Sequence, residues 1–218
     1  MNIILADRQD ITRAGLCYII EQLSESKDIP MSRAEDKASL VQSLMLMSDA
    51  IIILDYTLFD LNDADELLVL ALRFPNVRWI LFSEDLTIDF VRQIVLSSPM
   101  FSVLMKESPL GEIRECIRSA IRGQRFICQR TAEQLIAPAI SQSFGEMETP
   151  LTKTETEILK DIALGMTTRE IAEKRFSSFH TVNTHRKNIF RKLSVNNAHE
   201  ATKYALRAGL VDSAEYYI

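Results

Sequence analysis

The sequence predicts a doubly wound α/β domain with a five-stranded parallel sheet, followed by a small all-α domain of four helices. Short apolar runs alternate with helix-like stretches as far as about residue 122, and no strand-like run follows Leu151. The charge also changes sign. Residues 151–218 hold 11 Lys/Arg and 8 Asp/Glu, a balance of +3, and residues 1–150 hold 14 and 22, a balance of −8, which together give −5. This asymmetry indicates two domains, of which the basic one is a candidate to meet a polyanion.

The composition excludes several classes of protein. Apolar residues make up 47% of the 218 positions, which is enough for a buried core. Cys17, Cys116 and Cys128 lack the CxxC spacing, so we expect a reducing compartment rather than a disulfide scaffold or a zinc site. An acid at position 7 interrupts any leader core and no apolar run reaches 18 residues, so we expect neither a secretory leader nor a membrane span.

The strands of the first domain are predicted from runs that are apolar at every position, which is typical of parallel strands covered on both faces. A further strand near 29–34 is expected at the sheet edge, because Pro30 cannot donate within a sheet. The strand runs are 3–6, 51–54, 79–82 and 103–105, and the predicted helices are 11–23, 39–47, 63–73, 89–97 and 110–122. Strand and helix alternate five times, which predicts the doubly wound fold.

A linker is predicted at 123–149, because Pro138, Gly145 and a polar middle break the alternation, with a short helix near 131–136. After it, Thr152 and Glu155 have the spacing of a capping box that begins a helix. The four predicted helices of the second domain are about 152–164, 168–175, 179–193 and 197–208. The first domain is thus expected at 1–122 and the second at 150–218.

Polar residues directly follow four of the strands, at the edge where open α/β sheets bind ligands. They are Asp7, Asp55, Ser83 and Lys106. Two facing carboxylates suit Mg²⁺, while an ammonium and a hydroxyl suit phosphoryl oxygens, and an aspartate can itself carry an acyl phosphate. Any one of these residues could be a polar strand end without function, but four at one edge are a much more specific signal.

These residues resemble the receiver domain of two-component response regulators. The resemblance covers about residues 1–122 and rests on IILADRQDITRAGL, DAIIILDYTLFD, WILFSED and VLMKESP. It implies a flavodoxin-like fold in which Asp55 is the phosphoryl acceptor. Ser83 and Lys106 would hold the phosphoryl group, and Asp7, Asp55 and the backbone carbonyl of Thr57 would bind Mg²⁺.

Three departures from the receiver pattern concern the same pocket. Ala6-Asp7 stands where the family usually has two adjacent acids, and fewer negative charges should weaken Mg²⁺ binding. Leu58-Phe59 replaces the usual Met-Pro. Phe101-Ser102-Val103 replaces the small residues and the aromatic residue usual before the lysine, which removes the ring whose rotation often reports phosphorylation. We therefore expect a receiver that is phosphorylated weakly or that works partly without phosphate.

A basic helix is the main feature of the second domain. On a helical wheel Val182, Ile189 and Leu193 form a buried stripe. The opposite side carries residues able to contact bases and phosphates: Asn183, Thr184, Lys187, Asn188 and Arg191. The preceding short helix, the turn at 176–178 and Ser178 as N-cap make a helix-turn-helix, whose second helix enters the major groove. An ordinary amphipathic helix would be expected to mix acids and bases, yet none of the residues between Lys174 and His199 is an acid.

Residues 150–211 also resemble the LuxR/FixJ-type helix-turn-helix, through LTKTETEIL, ALGMTTREIAEK, HTVNTHRKNIFRKL and EATKYALRAGLV. The resemblance implies that Asn183, Thr184 and Lys187 face bases. Five further residues would contact phosphates or brace the helix: Ser178, Thr181, His185, Arg186 and Lys192. The wheel places His185 at the edge of the buried side, so packing is an equal alternative for it.

Two positions of the turn depart from the LuxR/FixJ pattern. Arg175 replaces the family's leucine and Ser177 an apolar residue, which leaves Phe176 or Phe179 as candidates to complete the core. By the resemblance the last helix would pair two copies on DNA, or it would simply close the small core. A dimer would place its two recognition helices about 34–36 Å apart, which requires a near-palindromic site.

The sequence therefore predicts a cytoplasmic, non-enzymatic transcriptional regulator of a two-component phosphorelay. Its partners would be promoter DNA, a sensor histidine kinase and a second copy of the chain, with Mg²⁺ as cofactor. One alternative is an orphan regulator that binds DNA largely independently of phosphorylation. Another is a phospho-aspartyl hydrolase. Hydrolases of the haloacid dehalogenase type require a second aspartate two residues after the nucleophile, and this chain has Thr57 at that position after Asp55. A third is an adaptor that does not bind DNA.

Overall fold

The computed structural model describes residues 1–47, 49–84, 86–136 and 150–211. The chain divides into two compact units, Met1–Ala137 and Pro138–Ile218. The first contains the predicted parallel sheet and the second the predicted helices, so the predicted fold class is confirmed. Within the described residues, no helix combines the length and apolar character that a membrane crossing requires.

Five parallel strands form the sheet of the first unit in the order β2-β1-β3-β4-β5. The strands are β1 Asn2–Ala6, β2 Met31–Arg33, β3 Ala50–Leu54, β4 Arg78–Ser83 and β5 Phe101–Met105. Because β1, β3 and β5 are buried at every position, their runs are apolar on both faces. The edge position predicted for β2 is confirmed, and Pro30 lies just before it, where its carbonyl accepts from Ile3 N at 2.9 Å.

Helices cover both faces of the sheet. The helices are α1 Asp10–Glu21, α2 Lys37–Leu46, α3 Ala64–Arg73, α4 Ile88–Ser97 and α5 Leu110–Ile121. The buried residues of α1 and α5 belong to one apolar cluster, and those of α2, α3 and α4 belong to the other. Asp36, Asp63 and Thr87 begin α2, α3 and α4 as N-caps, since each side chain accepts a backbone N–H three residues on.

The first half of the predicted linker packs against the sheet. Val103 N donates to Phe126 O and Cys128 N donates to Val103 O, both at 2.9 Å, so residues 126–128 run beside β5. Helix α6, Gln129–Ile136, follows and contacts α4. The compact unit thus extends past residue 122, while the rest of the predicted linker, 137–149, lies outside the described residues. The functional domain boundaries stay a prediction.

The second unit is helical throughout its described part. Its helices are α7 Lys153–Ala163, α8 Thr168–Lys174, α9 Phe179–Leu193 and α10 Ala198–Arg207. The capping box of Thr152 and Glu155 begins α7 as predicted. Gly165 and Gly209 follow α7 and α10 with φ of +82° and +66°, a backbone conformation that favours glycine at a helix end. The alanines of α10 lie in the apolar core, so its alanine face closes that core.

An ion-pair cluster takes the place of the leucine expected at position 175. Arg175 Nε lies 2.5 Å from Asp161 Oδ2, and Lys174 Nζ lies 2.8 Å from Asp161 Oδ1, with the Asp161 side chain buried. Phe176 is fully exposed and Phe179 about half exposed, so neither ring completes the core of the turn. The arginine instead joins the turn to α7 through charge.

The Asp161 carboxylate should therefore stabilise the second unit. Burial raises its pKa, but hydrogen bonds from Arg175 and Lys174 outweigh that effect and hold the pKa below its usual range. Its contribution is complete above the ordinary pKa of about 4 and is lost as pH falls through the folded-state value. We expect Asp161→Asn to lower the free energy of unfolding by about 1–3 kcal/mol at pH 7, and less at pH 3.

Urea unfolding of the second unit, followed by circular dichroism at several pH values, measures this effect. Glu157→Gln is the matched control, because Glu157 is half exposed and lies 3.7 Å from Arg175. Its effect should stay below about 0.5 kcal/mol. Equal effects of the two substitutions would contradict the role given to Asp161.

Candidate functional site

Four predicted residues meet at the carboxyl edge of the sheet in the first unit. Asp7 and Asp55 are almost completely buried and Ser83 is fully buried, while Lys106 is partly exposed. The Lys106 ammonium lies 2.6 Å from Asp55 Oδ2 and 2.8 Å from Asp7 Oδ2. One cation thus bridges the two carboxylates that follow β1 and β3.

Backbone amides fix the orientation of the acidic side chains. Thr57 N donates to Asp55 Oδ1 at 3.1 Å, and Gln9 N donates to Asp7 Oδ1 at 2.7 Å. Ser83 Oγ accepts from the backbone N–H of Tyr56 at 3.0 Å, which ties β4 to the loop after β3. These contacts keep the acidic groups in place before any ligand arrives.

Gln9 is a pocket residue that the sequence reasoning missed. Its Oε1 accepts from Lys106 Nζ at 3.0 Å, so the ammonium has three oxygen neighbours. The signal that could have found it is position, because Gln9 lies three residues after the end of β1 in the loop that enters α1.

The electrostatics of the pocket follow from burial. Burial raises the pKa of Asp55 to about 6, while the Lys106 ammonium lowers that pKa and the Asp7 carboxylate raises it by smaller amounts. Burial also acts to lower the pKa of Lys106, but the carboxylates of Asp55 and Asp7 outweigh it and raise that pKa. Lys106 is therefore charged at neutral pH, and Asp55 is a carboxylate in an unfavourable, dry environment.

The donor set fits a divalent cation only in part. Asp7 Oδ2 is buried and already lies 2.8 Å from the Lys106 ammonium, so a metal at this oxygen would have to displace the lysine. The described residues also contain no group of three or more His, Cys, Asp or Glu side chains that could hold a metal. Ala6 packs in the apolar core, whereas Arg8 is exposed and its Nε donates to Glu35 O at 3.2 Å. The Arg8 side chain is thus directed to the loop before α2.

In the second unit, α8, a short turn and α9 form the predicted helix-turn-helix. Ser178 is the N-cap of α9, since its Oγ accepts from Thr181 N at 3.0 Å. Val182 and Ile189 are buried as the wheel predicts, and Leu193 packs partly buried against the same core. Phe176 has a φ of +50°, so the turn uses a left-handed residue that is not glycine.

The predicted DNA-contacting residues separate by exposure. Five are exposed, namely Ser178, Thr181, Thr184, Lys187 and Arg191. Asn183, His185, Asn188 and Lys192 are partly exposed, and Arg186 is buried. The residues of α9 assigned to base contact therefore all reach solvent to some extent on one side of the helix.

Arg186 and Lys192 face inward and brace α9. The Arg186 guanidinium lies 5.4 Å from the ring centre of Phe190, and burial lowers its pKa to about 10. Lys192 Nζ lies 2.7 Å from Oε2 of the buried Glu155, the same carboxylate that caps α7. Of the two roles that the resemblance offered these residues, the contacts favour bracing.

Residues 149–205 match the model of the family described as bacterial regulatory proteins, luxR family. This segment is a LuxR-family domain. The match covers α7, α8, α9 and most of α10, so it contains the whole helix-turn-helix.

The whole chain is similar to full-length regulators. It is 28% identical over 215 residues to the transcriptional regulatory protein LiaR of Bacillus subtilis, with 97% of this chain and 100% of LiaR covered. The response regulator RcsB from Salmonella enterica serovar Typhimurium, solved bound to a promoter with the phosphomimetic BeF3-, has a TM-score of 0.54 at 18% identity, with 95% and 99% of the chains covered. A structure of two RcsB dimers bound to two parallel DNAs has the same TM-score at 21% identity, with 97% and 99% covered. These structural likenesses show the fold, a receiver sheet followed by a helix-turn-helix domain.

The raised pKa of Asp55 makes a prediction for protein free of divalent metal. An acid whose folded pKa lies above its unfolded value stabilises the fold below the unfolded pKa, and that contribution is lost as pH rises through about 6. We therefore expect Asp55→Asn to be more stable than the wild type at pH 8, by about 1–3 kcal/mol, and to lose most of this advantage near pH 4.

Chemical denaturation with EDTA present, followed through the first unit, measures the difference. Asp60→Asn is the control, because Asp60 is an exposed acid that accepts only from the backbone N–H of Lys37 among the bonds described. A stability difference between wild type and Asp55→Asn that is independent of pH would contradict the assigned pKa.

Proposed function

We propose that this chain is a DNA-binding transcriptional regulator of a two-component phosphorelay. Asp55 accepts a phosphoryl group from a sensor histidine kinase, and the LuxR-family domain binds promoter DNA as a homodimer in the cytoplasm. The observation that carries the proposal is the presence of both parts in one chain: a pocket of two buried carboxylates bridged by Lys106, and a helix-turn-helix with an exposed basic face.

The pocket supports phosphoryl transfer through its own residues. An oxygen of Asp55 would bond to phosphorus to form an acyl phosphate as the donor's phosphorus bond breaks. Lys106 would move from bridging two carboxylates to pairing with the phosphoryl oxygens, and the Ser83 hydroxyl lies close enough to donate to them. Asp7, Asp55 and the Thr57 carbonyl would hold Mg²⁺, which supplies further positive charge beside the phosphoryl group.

Several contacts favour slow or incomplete phosphorylation. Lys106 already pairs with both carboxylates, so an incoming cation must compete with an ammonium held by three oxygens. Ala6 also leaves one acid fewer to bind that cation. The alternative function, an orphan regulator that binds DNA largely without phosphorylation, rests on the same observation. An aspartyl phosphatase activity is not supported, since Thr57 offers no carboxylate for that chemistry.

We expect weak modification in a direct test. Incubation with acetyl phosphate and millimolar Mg²⁺, followed by intact mass spectrometry, should add one phosphoryl group to well under half of the wild type and to none of Asp55→Asn. Intact mass is a better measurement than tryptophan fluorescence, because Trp79 lies far from the pocket. It stacks on Phe101 and precedes Ser83 by four residues on β4, a distance of about 13 Å along the strand.

Complete and Asp55-dependent modification would refute the weak-phosphorylation part and leave the phosphorelay role intact. Modification that persists in Asp55→Asn would place the acceptor elsewhere.

The DNA-binding role rests on the exposed face of α9. Lys187 and Arg191 are exposed and lie one helical turn apart, where both can reach the phosphates that border a major groove. Arg186 and Lys192 turn inward, which favours bracing of α9 over DNA contact for these two residues. Asn183 and Thr184 lie nearer the start of α9, the part of a recognition helix that meets base edges.

Charge removal on this face should weaken DNA binding. Lys187→Ala and Arg191→Ala should each reduce affinity and lower the slope of log affinity against log salt by about 1, and the double variant should lose measurable specific binding. Electrophoretic mobility shift over a salt series measures both quantities. Lys160→Ala is the control, because Lys160 lies on α7 in an exposed pair with Glu157.

Unchanged binding by the double variant would reject the assigned face. Binding by the wild type that does not depend on salt would favour an adaptor over a DNA-binding protein.

A further inference from the structure

The exposed residues of α3 are Asp65, Val69, Leu72 and Arg73, so two large apolar side chains lie between two charged ones. Seven of the ten residues of this helix are apolar, and four of these seven are buried. Leu67, Leu70 and Ala71 are buried, while Val69 is 61% and Leu72 is 80% exposed. A surface helix normally carries polar residues on its outward side, so Val69 and Leu72 are not the residues expected there.

Exposed apolar residues continue on the neighbouring helices. An ion pair between Lys37 and Glu66 joins α2 to α3, and Gln93 Nε2 donates to Asp65 Oδ1 at 3.1 Å to join α4 to α3. Leu46 and Leu96, in the last turns of α2 and α4, are 79% and 80% exposed, much like Leu72.

All three helices run back from the same sheet edge, so these leucines lie at a similar height. With helices about 8–10 Å apart the row spans roughly 16–20 Å. Three exposed leucines in one row make this side of the first unit a candidate for contact with another protein surface.

The charges at the two ends of α3 indicate what covers it. Asp65 and Arg73 are both exposed and lie four residues before and four residues after Val69, on the same side of the helix. An antiparallel copy of α3 with its two-fold axis at Val69 would place Asp65 opposite Arg73 of the second copy, twice. The stripe formed by Asp65, Val69, Leu72 and Arg73 is therefore complementary to itself, as an isologous contact requires.

We propose that two copies of this chain associate through antiparallel pairing of their α3 stripes. The occupant is a second copy because Asp65, Val69 and Arg73, read in the reverse direction, place a base where the first copy has an acid and an acid where it has a base. Asp65 holds Gln93 with one oxygen, and the Arg73 guanidinium lies 5.4 Å from the ring of Phe74. Both groups are exposed at the helix ends, so both can reach across. This contact involves neither the phosphoryl pocket nor the DNA-binding helix.

Cross-linking at the axis tests the geometry in the full chain. Val69→Cys in a Cys17→Ser background should form a disulfide-linked dimer as the main product under mild oxidation, since the axis brings the two thiols together. The control is Ile11→Cys in the same background, because Ile11 is 83% exposed on α1 in the opposite helix layer. Absence of a Val69→Cys dimer, or equal cross-linking of Ile11→Cys, would overturn the proposal.

A charge exchange tests the pairing itself. Arg73→Asp should weaken self-association by about tenfold or more in sedimentation equilibrium, because it sets like charges opposite each other at both ends. The double variant Asp65→Arg with Arg73→Asp should recover association to within about threefold of the wild type. Failure of the single change to weaken association, or failure of the double change to restore it, would show that the copies meet elsewhere or not at all.

Discussion

The Lys106 ammonium, held between the buried carboxylates of Asp7 and Asp55, is the interaction on which the first unit depends most. Parallel strands bring their carboxyl ends to one edge, so the acids that follow β1 and β3 must share a small space. Two carboxylates in a dry site repel each other and are costly to bury unless a cation lies between them. The lysine after β5 provides that cation, and it also sets how strongly any metal or phosphoryl group must compete for the same oxygens.

The second unit uses charge in a similar way to hold its shape. Arg175 joins the turn to Asp161 of α7, and Lys192 joins α9 to Glu155 at the start of α7. Both acids are buried. The Lys192 contact fixes α9 to α7, and the Arg175 contact fixes the end of α8 to α7. Arg186 and Lys192 face inward and brace α9. This leaves Lys187 and Arg191 as the exposed Lys/Arg residues of α9 for the proposed contact with DNA.

Much of this architecture could be predicted because its signals are local. Fully apolar runs identify strands covered on both faces, and one strand end after another supplied the pocket residues Asp7, Asp55, Ser83 and Lys106. The packing of residues 126–136 could not be predicted, since it depends on backbone pairing with Val103 rather than on composition. The partner of Arg175 was missed because Asp161 lies 14 residues away, and a helical wheel compares residues within one helix only. Gln9 was missed because an amide side chain three residues past a strand end carries no charge signal.

A DNA-binding regulator whose pocket has one acid fewer and a lysine paired with both remaining acids should be phosphorylated weakly and should bind DNA largely without phosphate. Genome-wide binding of the wild type and of Asp55→Asn, compared in the same cells, tests this expectation most directly. The account predicts discrete sites with near-palindromic sequence, occupied by both proteins, with the wild type gaining at most a modest increase. Loss of every site in the Asp55→Asn variant would show that phosphorylation controls binding fully, and absence of reproducible sites for the wild type would contradict the DNA-binding role itself.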